Sequence, residues 1–310
     1  VIGIIGAGAF GGALAIALGQ KQAVTLWGRG LVGRDIARLP GAVLPELVTV
    51  TDLAAVAQAQ TVLLALPAQA MGRFLDDHAG LLAGKRLVAC CKGVDLATGL
   101  GPTGVILAQV PDAQAAILTG PSFASDIAKG LPTALTLACG DAAVGVALQQ
   151  ELSTDSLRLY RITDVVGAEF GGAVKNVIAI ASGVVMGAGL GESARAALMT
   201  RGFAEMQRLA LHMGAQGDTL AGLSGFGDLV LTCTSAQSRN FRFGLAMGVG
   251  AAADPLMTVE GVATAQAVAT LARTHGIEMP ITAMVAALTR SEITLGDAIR
   301  ALMSRPLKPE

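Results

Sequence analysis

The run "GGAVKNVIAIASGVV" at 171–185 sets Lys175 and Asn176 inside one of the most apolar stretches of the chain. An ammonium that leaves water needs a partner, so a lysine in such a run is paired or employed. Held in a cleft, it can give a proton to an oxygen that gains negative charge, and take it back. Four further stretches carry groups of chemical use. "CCKG" ends an apolar run in Lys92. "TGPSFASDIAKG" carries Gly120, Pro121 and Ser122 into the start of a helix, supplying backbone N–H groups and a hydroxyl. "LSGFGDLVLTCTSAQSRNFRFG" sets Asp228 after a glycine loop, and Ser238 caps a helix that begins with Arg239 and Asn240. A guanidinium, an amide and a helix N-terminus together suit a phosphate. "TVEGVATAQAV" places Glu260 at the head of another helix, where a carboxylate gains from the dipole. Taken singly, each has a plainer reading: a strand-end lysine, a solvated arginine, an N-cap aspartate, a first-turn glutamate.

The chain opens on "VIGIIGAGAFGGALAIAL", which places Gly6-x-Gly8-x-x-Gly11 between a strand and a helix. Gly6 makes the tight turn, Gly8 lets backbone approach a pyrophosphate, and Gly11 allows close helix–strand packing. The turn residues Ala9 and Phe10 supply N–H groups to the same cradle. Where a ribose 2′-hydroxyl binder carries an acid at the end of the second strand, this chain has Trp27, Gly28 and Arg29. No carboxylate repels a 2′-phosphate there and Arg29 can fork onto one, which favours NADP over NAD. A solvated loop arginine is the alternative for Arg29.

These groups must be positioned by two halves of different grammar. Up to about residue 160, six short apolar runs ("VIGII", "AVTLW", "TVLLAL", "RLVACC", "AAILTG", "TALTLAC") alternate with helical stretches such as 10–20 and 69–82. That is the pattern of βαβ units on a mainly parallel sheet. Past Arg161 the strand signal stops, and helical spacing takes over at 163–189, 191–214, 239–248, 260–275, 280–291 and 295–303. The expected architecture is α/β: a Rossmann-like dinucleotide-binding domain over 1–162 and an all-α substrate-binding and catalytic domain over 163–310. Thr163 or Asp164 is the expected cap of the first long helix.

A net charge of −1 argues against nucleic acid or an anionic membrane as the main partner, so local groups must catch any anion. The composition, 53% hydrophobic but 3% aromatic, suits helices packed closely on a parallel sheet. Cys90, Cys91, Cys139 and Cys233 have no metal or redox spacing and read as reduced core cysteines of a cytoplasmic protein; no metal site is expected. No signal peptide is visible. The apolar run 177–190 is interrupted by Gly183, Gly187 and Gly189 and is shorter than the ~20 residues of a spanning helix, so no transmembrane segment is expected. His78, His212 and His275 lie apart from the glycine-rich stretches, which leaves a lysine as the better acid.

Read together, "GAGAFGGALA", "CCKG", "GPSFA", "GGAVKNVIAI", "TRGFAEM", "GDLVLTCTSAQSRNFRFG", "VEGVATA" and "MPIT" resemble, in the same order, bacterial NAD(P)-dependent glycerol-3-phosphate dehydrogenases. The likeness spans nearly the whole chain. The "GAVKN" and "GDLVLTC…SRN" blocks are more specific than the glycine fingerprint. The resemblance implies reversible reduction of dihydroxyacetone phosphate to sn-glycerol 3-phosphate, for phospholipid synthesis. It implies Lys175 as the proton-transfer residue, and Lys92 as a contact to substrate and cofactor. Gly120, Ser122, Asp228, Ser238, Arg239 and Asn240 are implied as substrate contacts, with Ala124, Arg239 and Glu260 on the cofactor. Asp228 is then the natural partner of Lys175. Ala9 and Phe10 depart from the family's commoner turn residues, Phe241 stands where a second arginine often follows "SRN", and the stretch after Arg29 is short. Other two-domain dehydrogenases, such as ketopantoate reductase or 6-phosphogluconate dehydrogenase, and a non-catalytic NADPH-sensing module remain alternatives. The expected partner is a small phosphorylated molecule; the sequence leaves open whether the chain forms a homodimer.

Overall fold

Eight strands, β1 (Ile2–Ile5), β2 (Val24–Trp27), β3 (Val48–Val50), β4 (Thr61–Leu64), β5 (Arg86–Ala89), β6 (Gln114–Thr119), β7 (Thr133–Cys139) and β8 (Leu157–Ile162), form one sheet. Their order is β3-β2-β1-β4-β5-β6-β7-β8. The β6–β7 pair is antiparallel and the other neighbouring pairs are parallel. The computed structural model describes residues 1–31, 33–251 and 259–303. Residues 304–310, the end of the second domain expected from the sequence, and Thr258 of "TVEG" lie outside the described residues.

The central strands read as unbroken apolar runs because both faces are covered; β1 and β4 are buried along their whole length. The helices that cover them are α1 (Ala9–Gly19), α2 (Leu53–Val56), α3 (Ala68–Leu82), α4 (Pro102–Gln109), α5 (Ala124–Ala128) and α6 (Ala142–Leu152). Two edge strands add to the six expected. β3 is only three residues long, and β8 alternates buried Leu157 and Leu159 with solvent-facing Arg158 and Tyr160, which hides it from an apolar-run reading.

Register places the chemistry. Ile5 pairs with Trp27 and Leu64, Leu64 with Ala89, and Ala89 with Ile117. The carboxyl ends of β1, β2, β4, β5 and β6 therefore share one edge. From that edge leave the Gly6–Gly11 turn, Arg29, Lys92 and the Gly120–Ser122 turn. This is where ligands of open α/β sheets bind.

The second half is built on α7 (Val165–Gly187), surrounded by α8 (Glu192–His212), α9 (Gly217–Ala221), α10 (Asp228–Thr234), α11 (Arg239–Gly248), α12 (Glu260–Thr274), α13 (Pro280–Thr289) and α14 (Leu295–Met303). Asp164 is the cap of α7 and accepts from Gly167 N at 2.9 Å. Glycines of α7 and α11 serve close packing: a Cβ on Gly183 of α7 would stand 2.1 Å from Phe241 O, and one on Gly244 of α11 2.0 Å from Ile180 O. α7 and α11 thus cross nearly backbone to backbone, which explains a core rich in small residues. At 23 residues α7 is long and apolar enough to cross a membrane, and longer than the run 177–190 suggested. Yet 89% of its most apolar window is buried by the rest of the protein, as in a core helix. The architecture is a Rossmann-like α/β domain with a mainly parallel sheet, followed by a helical domain.

Candidate active site

Lys175 lies in the middle of α7, not near its start, because the helix begins at Val165. Its flanks pack into the core, and the residue itself is only 6% exposed. Its Nζ donates to Asp228 Oδ1 at 2.6 Å and to Thr232 Oγ1 at 2.6 Å. The Thr232 hydroxyl lies 3.2 Å from the same Asp228 oxygen. The other carboxylate oxygen, Oδ2, accepts from Lys92 Nζ at 2.5 Å, and Lys92 also donates to Gly120 O at 2.9 Å. Asp228, 1% exposed, is thus shared between an ammonium from the helical half and one from the sheet edge.

The "GFGD" stretch does not form a loop. Residues Leu223–Gly227 make a π-helical turn that runs directly into α10, so Asp228 is the first residue of a helix entered from a helix. Gly225 permits this, since a Cβ there would stand 2.0 Å from Leu220 O. Such π turns concentrate at functional sites because they re-aim one side chain. Thr232 was not among the residues singled out from the sequence. Its signal is the spacing Asp228-x-x-x-Thr232, which puts both side chains on one helix face.

Burial lowers the pKa of Lys175 from its ordinary value to about 8; the Asp228 carboxylate opposes that shift and the Lys92 charge adds to it. An amine poised there can both give and take a proton near neutrality. Burial pushes the Cys90 and Cys233 thiols up to about 12 and raises Cys91 as well, which disfavours the reactive thiolate. All four cysteines are free and buried. Among the described residues no three His, Cys, Asp or Glu converge as a metal site.

The remaining residues read from the sequence lie beyond β6 and at the starts of α5, α11 and α12. Ser122 is partly buried beyond β6, its hydroxyl 3.4 Å from Gly120 O; Ala124 begins the five-residue α5. Ser238 caps α11 by accepting from Phe241 N at 3.2 Å. Arg239, the first residue of α11, is exposed, while Asn240 is buried and accepts from Gly261 N at 3.0 Å. The Asn240 oxygen therefore ties the start of α11 to the start of α12. Glu260 opens α12; burial raises its pKa, and Arg239, Lys92 and Lys175 pull it back, so it faces the same charges.

The glycine turn fits a dinucleotide. Gly6 has φ +110, and a Cβ on it would stand 2.4 Å from Ala65 O; one on Gly11 would stand 1.9 Å from Gly6 O. Gly8 differs: nothing lies within 4 Å of its Cβ position, and it caps α1 without any side-chain bond. That leaves room beside the start of α1 for the backbone approach that a pyrophosphate cradle requires. Arg29 is exposed just past β2. Gly28 lets that strand end approach the turn, since its Cβ would stand 2.3 Å from Ala7 Cβ.

A family model described as NAD-dependent glycerol-3-phosphate dehydrogenase N-terminus matches residues 1–145, and its C-terminal counterpart matches residues 164–300. The chain belongs to the NAD-dependent glycerol-3-phosphate dehydrogenase family. It is 66% identical over 310 residues, covering 100% of both chains, to glycerol-3-phosphate dehydrogenase (NAD(P)+) of Cereibacter sphaeroides. The similarly named protein of Paracoccus denitrificans is 58% identical over 312 residues, covering 100% of this chain and 99% of that one. Among solved structures, the glycerol-3-phosphate dehydrogenase of Coxiella burnetii superposes with a TM-score of 0.92 at 36% identity, covering 98% of each chain.

Proposed function

We propose that this chain catalyses the reversible reduction of dihydroxyacetone phosphate to sn-glycerol 3-phosphate with NADPH or NADH. The observation that carries the reading is the Asp228 carboxylate bridging Lys175 and Lys92 at the sheet edge that also bears the glycine turn. The glycine turn with Gly6, Gly8, Ala9, Phe10 and Gly11 would hold the pyrophosphate. Arg29, Lys92, Ala124, Arg239 and Glu260 would border the rest of the cofactor. When bound, the reduced nicotinamide supplies a hydride to the substrate carbonyl carbon.

The protein's own residues handle the proton. An ammonium has three N–H donors, and on Lys175 two are held by Asp228 and Thr232. The third is left for the carbonyl oxygen, on which negative charge develops. Lys92, with two of its donors on Asp228 and Gly120, likewise keeps one for the substrate. Asp228 holds the amines in place and favours the charged form of Lys175. After the transfer Lys175 is neutral and recovers its proton from solvent; in the reverse direction the neutral amine is the base. Arg239, with Asn240 and the N–H groups that open α11, would hold the phosphate, with Ser238 fixing that helix start and Gly120 and Ser122 lining the opposite wall.

The same reading assigns residues 1–162 to cofactor binding and 163–310 to substrate binding and catalysis, the divide falling between the end of β8 and the cap of α7. It assigns NADP as the preferred cofactor through Arg29, and a cytoplasmic role in supplying glycerol 3-phosphate for phospholipid synthesis. Lys175→Met tests the core of it. Turnover measured by NADPH oxidation should fall by roughly 10²-fold or more, the scale of a lost general acid, while NADPH binding persists. Near-normal turnover would remove Lys175 from the role.

A further inference from the structure

One buried carboxylate outside this cluster joins the two halves. Glu169 lies on α7, six residues before Lys175, and is 9% exposed. Its Oε1 accepts from Thr103 N at 2.7 Å and Thr103 Oγ1 at 2.8 Å. Thr103 is in the first turn of α4, whose cap residue, Gly101, offers no side chain to satisfy the free N–H groups. The cap of α4 therefore comes from α7, 66 residues further along the chain. Gly101 sits against it: a Cβ there would stand 2.2 Å from Glu169 Oε2 and 2.6 Å from its Cδ.

The other contacts of this part of α7 are steric. A Cβ on Gly172 would stand 2.7 Å from Thr119 Oγ1 and 3.4 Å from the Lys92 side chain, and one on Gly171 2.7 Å from Ser224 O. Bare glycine surfaces limit how closely the helix approaches the sheet edge. They do little to stop it sliding or turning about its axis. Paired hydrogen bonds to one carboxylate are directional and resist both. From Glu169 to Lys175 is about 9 Å along a rigid helix, so a shift at the first is passed to the second.

We propose that Glu169 is a positioning residue for the reaction: by capping α4 from α7, it sets the seat of α7 on the sheet and so places Lys175 against Asp228 and Lys92. The inference rests on the reading of Lys175 as the proton donor. Glu169 also lies on the wall of a groove of about 600 Å³ between α4 and the first turns of α7. Water from that groove can satisfy Thr103 when the carboxylate is removed, so a truncated variant keeps its fold while losing its registration.

The test uses the full chain with Glu169→Ala, Glu169→Gln, Gly101→Ala, the Gly101→Ala and Glu169→Ala pair combined, and Lys175→Met. Steady-state reduction of dihydroxyacetone phosphate is measured beside NADPH binding by fluorescence. Glu169→Ala should lower kcat about tenfold or more while the Kd for NADPH stays within about twofold, the split expected of a misplaced catalytic group. Glu169→Gln keeps an oxygen acceptor and should recover most of kcat. Gly101→Ala displaces the carboxylate by contact, so it should lower kcat alone but add nothing in the Glu169→Ala background. If Glu169→Ala turns over within about twofold of wild type while Lys175→Met is inactive, or if the Gly101 and Glu169 losses multiply, the positioning role is overturned and the reading of Lys175 stands. If Lys175→Met itself turns over normally, it is that reading which fails.

Discussion

Asp228→Asn removes the charge that two ammoniums share while keeping the shape of the side chain. Lys175 sits at about 8 because burial and Lys92 lower its pKa more than Asp228 raises it. With the carboxylate gone, the main opposition to burial and to Lys92 goes with it. Loss of an opposite charge in direct contact moves a pKa by roughly 1–3 units, so Lys175 should fall to roughly 5–7. At pH 7.5 its protonated fraction then drops from about three quarters to about a quarter for a one-unit shift, and to about 0.3% for three. The assay is kcat/KM for dihydroxyacetone phosphate at saturating NADPH from pH 6 to 9. In wild type the rate should fall as pH rises through about 8. In Asp228→Asn the same fall should begin at lower pH. For oxidation of glycerol 3-phosphate, where the neutral amine is the base, the rise with pH should move to lower pH in step. A break that stays at its wild-type position, or moves upward, would mean that Asp228 does not face the working ammonium, and the proton assignment would be lost.

Two glycines three residues apart should behave in opposite ways. Gly8→Ala has open space for its Cβ and an ordinary φ of −73, so stability should hold while the KM for NADPH rises; unaltered cofactor kinetics would show that the cradle lies elsewhere. Gly11→Ala puts a Cβ 1.9 Å from Gly6 O and should cost roughly 1–3 kcal/mol in denaturant unfolding. Arg29→Ala should raise the KM for NADPH more than that for NADH, and equal effects on both would refute a 2′-phosphate contact.

What could be read from the sequence was what is local. The glycine fingerprint, the Ser238 cap and the start of α11 each depend on residues within a few positions, and each lies where the spacing put it. The six central strands are legible because burial on both faces leaves unbroken apolar runs. β3 and β8 are edge strands and lack that signature. The "GFGD" stretch read as a loop because its two glycines suggest one, but close contact with Leu220 and Gly171 holds it as a π turn. No local pattern announces Glu169, since its partner is on α4. The pairing of Lys175 with Asp228, 53 residues apart, is the one expected from the resemblance; that Lys92, 136 residues before Asp228, shares the same carboxylate is a meeting that only the packed fold arranges.

The charge of that meeting bears on how an anion is captured. A protein of net charge −1 has no long-range field to draw in a phosphorylated substrate. Attraction has to come from within the cleft, where low dielectric strengthens it but also makes each bare charge costly. Lys92 and Lys175 around one Asp228 answer both demands. The carboxylate offsets the cost of one buried ammonium, and the triad keeps a surplus of one positive charge. Arg239 and Glu260 face the same space with opposite signs, so the surplus stays modest. A fully compensated cluster would hold the amines but attract nothing. One without the carboxylate would push Lys175 so far down that it arrived at the ketone without its proton.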